Sequence, residues 1–287
     1  MKVLVVKNAG FCFGVKRAIR IASEAARSRH GPVFTLGPLI HNPQVVRKLA
    51  KEGVVAVPSL DDMTKGTMVV RSHGLEPGVI EKARARGMEI VDATCPNVKN
   101  AQRYAARLAR EGYLTAVVGE ASHPEVQGIL GHAGASSLVV AEERDVTCLE
   151  PREAIGVIAQ TTLSQEYFSR IVSLMVEKTR ELVVYNTICG WTASIQEATR
   201  EVAEKAGVMV VVGGRNSANT TRLARICRRV GRPTYHIETV SELKTEWFAS
   251  ADSVGVTAGA STPEGLVKDV LSGLERIAEM AYDGGSH

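Results

Sequence analysis

The sequence predicts an α/β protein made of three similar α/β lobes that face one central cavity. Three observations predict it. Short β-branched runs alternate with helical patterns along all 287 residues. Two series of strand–loop–helix units each recur once per third of the chain, at intervals of about ninety residues, the size of a small domain. The loops of these units hold thiols, imidazoles and small hydroxyls, at the strand ends where parallel α/β sheets bind ligands.

The elements follow in order. The first strand, Val3 to Val6 in "KVLVVKNAGFCFGVKRA", stops at Asn8-Ala9-Gly10, and Cys12 stands between Phe11 and Phe13. Val15, Ala18, Ile19, Ala22, Ala25 and Ala26 then recur at helical spacing, with Lys16, Arg17, Arg20 and Glu24 on other faces. The same form returns in "LTAVVGEASHPEVQGIL" and "VMVVVGGRNSANTTRLA". The second series reads "TMVVRSHGLEPGVIEKA", "IGVIAQTTLSQEYFSRI" and "SVGVTAGASTPEGLVKD". Twice its helix leads into a strand that ends at a cysteine, in "EIVDATC" and "LVVYNTIC". The expected lobes are therefore 1–95, with Cys12, His41 and His73; 96–190, with His123, Glu125 and Thr161; and 191–287, with Ser217, Asn219, Ser261 and a C-terminal tail.

Composition narrows the function. The chain is 45% apolar and 23% charged with a net charge of +4, and its basic residues are scattered, which argues against a nucleic-acid arm and leaves room for a small anionic ligand. No apolar run approaches the roughly 20 residues of a membrane span. The first residues are too short in apolar character for a signal peptide, so a cytoplasmic protein is expected. Five widely spread cysteines without an export signal argue against a disulfide framework.

Three of those cysteines, Cys12, Cys95 and Cys189, follow strands, whereas Cys148 in "RDVTCLEP" and Cys227 in "RLARICRRVG" read as structural. Local C-x-x-C spacing is absent, so the case for a metal rests on the repeated arrangement. Three thiolates suit a four-iron cluster with one open iron, a Lewis-acid position for a substrate oxygen; zinc with three cysteines and a water is the alternative. Ser217 and Asn219 stand at a helix N-terminus that favours an anion, and Ser261 is similar, although ordinary capping accounts equally well for such residues. His41, His73 and His123 lie on loops shaped by turn residues. Glu125, two residues from His123, is either a proton source or a first-turn acid. "SHPEVQG" holds half of a zinc-deaminase signature whose second half is missing. No dinucleotide, Walker or nucleophile-elbow motif occurs.

Over essentially its full length the chain resembles the LytB family, the 4-hydroxy-3-methylbut-2-enyl diphosphate reductases, last enzymes of the non-mevalonate isoprenoid pathway. The motifs "AGFCFGV", "GPLIHNPQVV", "RSHG", "DATCP", "HPEVQG", "QTTLS", "NSAN" and "VTAGASTP" carry the resemblance, in the family's order and at comparable spacing. It implies a pseudo-threefold trefoil around a 4Fe-4S iron–sulfur cluster held by Cys12, Cys95 and Cys189, with one iron lacking a protein ligand. It implies that His41, His73, His123, Ser217, Asn219 and Ser261 hold an allylic diphosphate. Thr161 would line the pocket near the reacting carbon, and Glu125 would supply protons. Electrons would come from a ferredoxin or flavodoxin, with no nucleic-acid or membrane partner. Two departures stand out: Ala218 replaces a serine in "NSAN", and Trp191 and Ile195 in "CGWTASIQ" replace a small residue and an arginine.

Overall fold

The computed structural model describes residues 1–28 and 31–283; residues 284–287, where the C-terminal tail expected on the third lobe ends, lie outside the described residues. The chain begins with β1 (Lys2–Val5) and α1 (Phe13–Ser28). There follow β2 (Val33–Leu36), α2 (Pro43–Lys51), β3 (Val54–Val57), β4 (Thr67–Val70), α3 (Pro77–Ala85), β5 (Glu89–Asp92) and α4 (Pro96–Arg110). The middle of the chain forms β6 (Leu114–Val118), α5 (Pro124–Ala133), β7 (Ser137–Val140), α6 (Glu143–Thr147), β8 (Arg152–Ala159), α7 (Gln165–Met175), β9 (Thr179–Tyr185) and α8 (Gly190–Lys205). The last part forms β10 (Val208–Val212), α9 (Ala218–Arg229), β11 (Thr234–Ile237), β12 (Ser253–Ala258) and α10 (Glu264–Asp283).

These strands make three four-stranded parallel sheets, ordered β3-β2-β4-β5, β7-β6-β8-β9 and β11-β10-β12-β1. The order is the same in each, so the three α/β lobes share one topology. Its last position is where the structure departs from the expected lobe of residues 1–95. Strand β1 pairs with β12, Lys2 opposite Ser253 through Val5 opposite Val256, and so completes the C-terminal lobe. It is the counterpart of β5 and β9, not of β6 and β10. The C-terminal repeat has no strand of its own after α10 among the described residues, and the N-terminal strand fills the vacant edge. Burial agrees: β1 and β5 share the half-exposed pattern of an edge strand, whereas β10 is buried throughout. With β1 so placed, Cys12, Cys95 and Cys189 each follow the equivalent strand of a different lobe.

The chain divides into two compact units, one of Met1–Phe13, His41–Val45 and Trp191–His287 with the β1-containing sheet, the other of Gly14–Ile40 and Val46–Gly190 with the remaining two sheets. In the first unit, β10 points Val208, Val210 and Val212 to a core shared with Val256, Phe248, Val270 and Leu274. Its alternate residues Met209 and Val211 face Val6, Leu223 and Ala224. A strand covered on both faces reads as an unbroken apolar run, as this one does. Trp191 and Ile195 join the second of these clusters, which gives both departures a packing role. In the second unit, Ala116 and Val118 of β6 meet Phe168, Ile171 and Met175 of α7, while Val117 meets Ala105 and Leu108 of α4. Full burial of each large side chain contributes about 1.5–3 kcal/mol.

Candidate functional site

Each of the three strand-end cysteines is the residue immediately before a helix: Cys12 before Phe13, Cys95 before Pro96, Cys189 before Gly190. The unsatisfied N–H groups of a first helical turn favour negative charge, which suits a thiolate at each place. All five cysteines are free thiols. Burial pushes the Cys95 thiol up, backbone N–H groups of Asn97 and Val98 pull it back, and the nearby Cys189 and Glu125 push it up again. The Asn97 amide nitrogen Nδ2 donates to Cys189 Sγ at 3.0 Å. The other two thiols differ: Cys148 is exposed at the end of α6, and Cys227 is buried within α9, where burial holds its thiol at about 12.

In the second unit the backbone ties these cysteines to the polar loops. Cys95 N–H donates to the Ser72 carbonyl (3.0 Å) beside His73, and Cys189 N–H donates to the Thr161 carbonyl (2.8 Å). Thr161 in turn donates twice to Glu125, from N–H to Oε1 at 2.6 Å and from Oγ1 to Oε2 at 3.0 Å. Glu125 is 2% exposed, a carboxyl group buried on a helix start. Its own N–H donates to His123 Nδ1 at 3.1 Å, which leaves Nε2 to carry the proton of the neutral imidazole. The rings of His123 and His73 meet edge-on with centroids 5.6 Å apart. Gly74 turns the chain after His73 at φ +76°, and a Cβ there would lie 2.3 Å from Gln102 Nε2, so this turn requires glycine.

The first unit gathers the rest. Cys12 N–H donates to the Ala260 carbonyl (3.2 Å), which places the first thiol's loop beside Ser261. Ser261 Oγ donates to the His41 carbonyl (3.2 Å), and Asn42 Nδ2 donates to the Ser261 carbonyl (2.9 Å). Asn42 Oδ1 also accepts from Gln44 and Val45 N–H, capping α2. Ser217 caps α9 by accepting from Thr220 N–H at 3.3 Å. Asn219, in the first turn of α9, is 4% exposed, yet neither its Oδ1 nor its Nδ2 has a hydrogen-bond partner among the described residues. Leaving such a buried group unpaired costs about 1–3 kcal/mol, which an acceptor such as a phosphate oxygen on Nδ2 would recover in part. Ala218 offers only backbone at this turn.

Thus Cys95, Cys189, His73, His123, Glu125 and Thr161 are drawn together in one unit, and Cys12, His41, Ser217, Asn219 and Ser261 belong to the other. Reading the sequence missed Asn42, Asn97 and Gln102. An Asn before a helix-opening proline signals Asn42. Gln102 breaks the apolar stripe of α4 (Val98, Ala101, Ala105, Leu108), is buried, and has no partner for Nε2 among the described residues. Arg71 was also passed over. Burial lowers the pKa of its half-buried guanidinium, and its Nε has no partner among the described residues. No group of three or more His, Cys, Asp or Glu side chains that could hold a metal ion occurs among the described residues, so the fit of a metal group rests on the chemistry of the donors.

Fold and site together define a class: three-lobed parallel α/β proteins whose strand ends combine free thiols with anion-type polar side chains. The model of the LytB protein family matches residues 3–275, and the chain belongs to that family. Curated relatives bear the name 4-hydroxy-3-methylbut-2-enyl diphosphate reductase. That of Geotalea uraniireducens is 48% identical over 96% of this chain and 98% of its own length. That of Geobacter sulfurreducens is 47% identical over 97% and 98%. A solved (E)-4-hydroxy-3-methyl-but-2-enyl diphosphate reductase, the terminal enzyme of the non-mevalonate pathway, is 41% identical with a TM-score of 0.70, covering 96% of this chain and 100% of that one. The Plasmodium falciparum E-1-hydroxy-2-methyl-but-2-enyl-4-diphosphate reductase is 27% identical with a TM-score of 0.91, covering 94% and 87%.

Proposed function

We propose that the chain is the reductase its relatives are named for. It takes 4-hydroxy-3-methylbut-2-enyl diphosphate, two electrons and two protons, and releases water with isopentenyl or dimethylallyl diphosphate. The single observation that supports this most is the buried Glu125–Thr161 pair, which ties a proton carrier to the loop that also holds Cys189. A bare electron carrier needs no such pair.

Cys12, Cys95 and Cys189 would hold a 4Fe-4S cluster with one iron lacking a protein ligand. The donors fit it: three free, soft thiols, each at a helix N-terminus after an equivalent strand. When bound, the cluster supplies electrons and an open Lewis-acid position for the hydroxyl oxygen of the substrate. The remaining steps belong to the chain. The diphosphate is held at the α9 N-terminus by Ser217 and Asn219, with Ser261, His41, His73 and His123 completing its contacts. His123 offers its Nε2 proton to a phosphate oxygen because Nδ1 is already engaged. Thr161 Oγ1 donates to Glu125 Oε2 at 3.0 Å; once Glu125 takes up a proton this bond reverses, and Thr161 Oγ1 passes its own proton towards the leaving hydroxyl as it accepts the one from Glu125. The electrons come from a ferredoxin or flavodoxin. No helix among the described residues is long and apolar enough to cross a membrane, and a cytoplasmic location belongs to the same proposal.

The test is anaerobic turnover of the allylic diphosphate with reduced methyl viologen as donor. Formation of the two diphosphate products is expected; an iron-loaded protein that forms none would be an electron carrier instead. Within this reading, Asn219→Ala raises the KM for the diphosphate about ten- to a hundredfold, the worth of a hydrogen bond to a charged group, with kcat little changed. Steady-state kinetics on the purified variant check it.

A further inference from the structure

The reaction chemistry leaves one face of the second unit unused. On it Tyr104 of α4 and Tyr185 at the end of β9 stack with ring centroids 4.0 Å apart and planes 13° from parallel. The Arg103 guanidinium lies 5.5 Å from the Tyr104 ring centroid, and that of Arg107 lies 5.9 Å from the Tyr185 centroid. Both arginines are exposed and both tyrosines are partly so. Strand β9 is the edge of its sheet, and Val184 beside Tyr185 is 38% exposed. Lys99 and Arg110 extend the row along α4. Asp92 pairs with Lys99, Glu111 with Arg107, and Glu181 on β9 accepts from the Tyr113 hydroxyl; against these three carboxylates stand Lys99, Arg103, Arg107 and Arg110, and Arg103 and Arg110 have no carboxylate partner among the described residues, so a net positive charge remains.

Its position is what makes this face informative. Helix α4 begins directly after Cys95, and Tyr185 stands four residues before Cys189, so both elements of the face run to thiols assigned to the cluster. Tyr104, nine residues along α4 from Cys95, is about 13 Å from it at the helical rise. On the reductase reading its electrons come from a ferredoxin or flavodoxin, which has to dock within electron-transfer reach of the thiols. Partly exposed Tyr and Arg are the residues enriched where proteins dock, and uncompensated cations select an acidic partner and speed its approach.

We propose that the Tyr104–Tyr185 face, with Arg103 and Arg107, is the docking site of an acidic one-electron carrier protein of the ferredoxin type. The proposal rests on the reductase reading. Each docking event oxidises one carrier by one electron. Two such events, with two protons, break one carbon–oxygen bond of the substrate and release its oxygen as water.

The test compares wild type with Arg103→Glu/Arg107→Glu on two donors, reduced plant-type ferredoxin and reduced methyl viologen, with iron per chain measured alongside. Expected are a KM for ferredoxin raised at least tenfold, and viologen turnover and iron within twofold of wild type. Raising salt should slow the wild-type ferredoxin reaction and leave the viologen reaction unchanged. An unchanged ferredoxin KM in the variant would overturn the proposal. Should charge reversal cost iron or viologen turnover, Arg103→Gln/Arg107→Gln replaces it: a ferredoxin KM raised about threefold supports docking here, and an unchanged one overturns it. Self-association in sedimentation that the variant abolishes would give the face to a second copy of this chain and overturn the proposal. Wild type that is iron-loaded yet inert with viologen would instead sink the reductase reading, and the docking proposal with it.

Discussion

Alanine at Cys12, Cys95 or Cys189, one at a time, should leave the protein folded, strip most of its iron and sulfide, and lower turnover at least about a thousandfold, a barrier increase of about 4 kcal/mol. The fold should survive because these thiols sit on loops between strand ends and helix starts, outside the apolar clusters that hold the sheets. Loss at any one position should be as damaging as at the others, since each lobe supplies one thiol from the same topological place. Cys148→Ala and Cys227→Ala are the controls. The first is exposed and should change nothing measurable. The second empties part of a cluster with Leu223 and Ala224, so it should cost about 1 kcal/mol of stability while iron and turnover persist. Iron and sulfide assays, circular dichroism and turnover on the five variants separate these outcomes; iron retained in full by any of the first three would remove that residue from the ligand set.

Glu125→Gln should lower kcat about a hundred- to ten-thousandfold, the usual worth of a positioned proton donor, with iron content unchanged and the substrate KM within about threefold. The geometry explains why the loss falls on kcat. Glutamine keeps one oxygen to accept from the Thr161 N–H, so the loop stays in place. Towards Thr161 Oγ1 it presents an amide that has no transferable proton, so the relay to the leaving hydroxyl stops. The amide also preserves the size of a side chain that is 2% exposed, which keeps cavity formation out of the result. A variant with normal kcat and raised KM would make Glu125 a binding residue instead. Thr161→Ser, which retains a hydroxyl at the same place, should keep most of the activity that Thr161→Val loses.

The strand-end loops were legible in the sequence because their chemistry is local. A cysteine, histidine or serine after a valine-rich run is visible without knowing how the runs pair. Pairing itself was not legible, and β1 shows why. "KVLVV" and "VMVVV" differ little as strings, yet one is an edge strand and the other the buried centre of the same sheet, a distinction made by which strands lie beside them. Aligning β1 with β6 and β10 hid the fact that Cys12 follows the counterpart of the strands before Cys95 and Cys189. The bond between Glu125 and Thr161 joins residues 36 positions apart, so both were found singly while their relation emerged only from packing. Asn97, by contrast, stands two residues after Cys95 and reaches the sulfur of Cys189, a contact no local pattern announces. Of the departures from the family pattern in the string, Ile195 becomes a core residue and Trp191 packs, partly buried, against the same cluster once α8 is laid on its sheet.

On the proposed reading this chain performs its chemistry at an iron–sulfur cluster held by Cys12, Cys95 and Cys189. Mössbauer spectroscopy of anaerobically purified, iron-57-loaded protein, with and without 4-hydroxy-3-methylbut-2-enyl diphosphate, tests it most directly. A four-iron cluster is expected, with one iron distinct from the other three, whose signal alone shifts when the diphosphate binds. A cluster indifferent to the substrate, or a protein that carries zinc in place of iron, would contradict it.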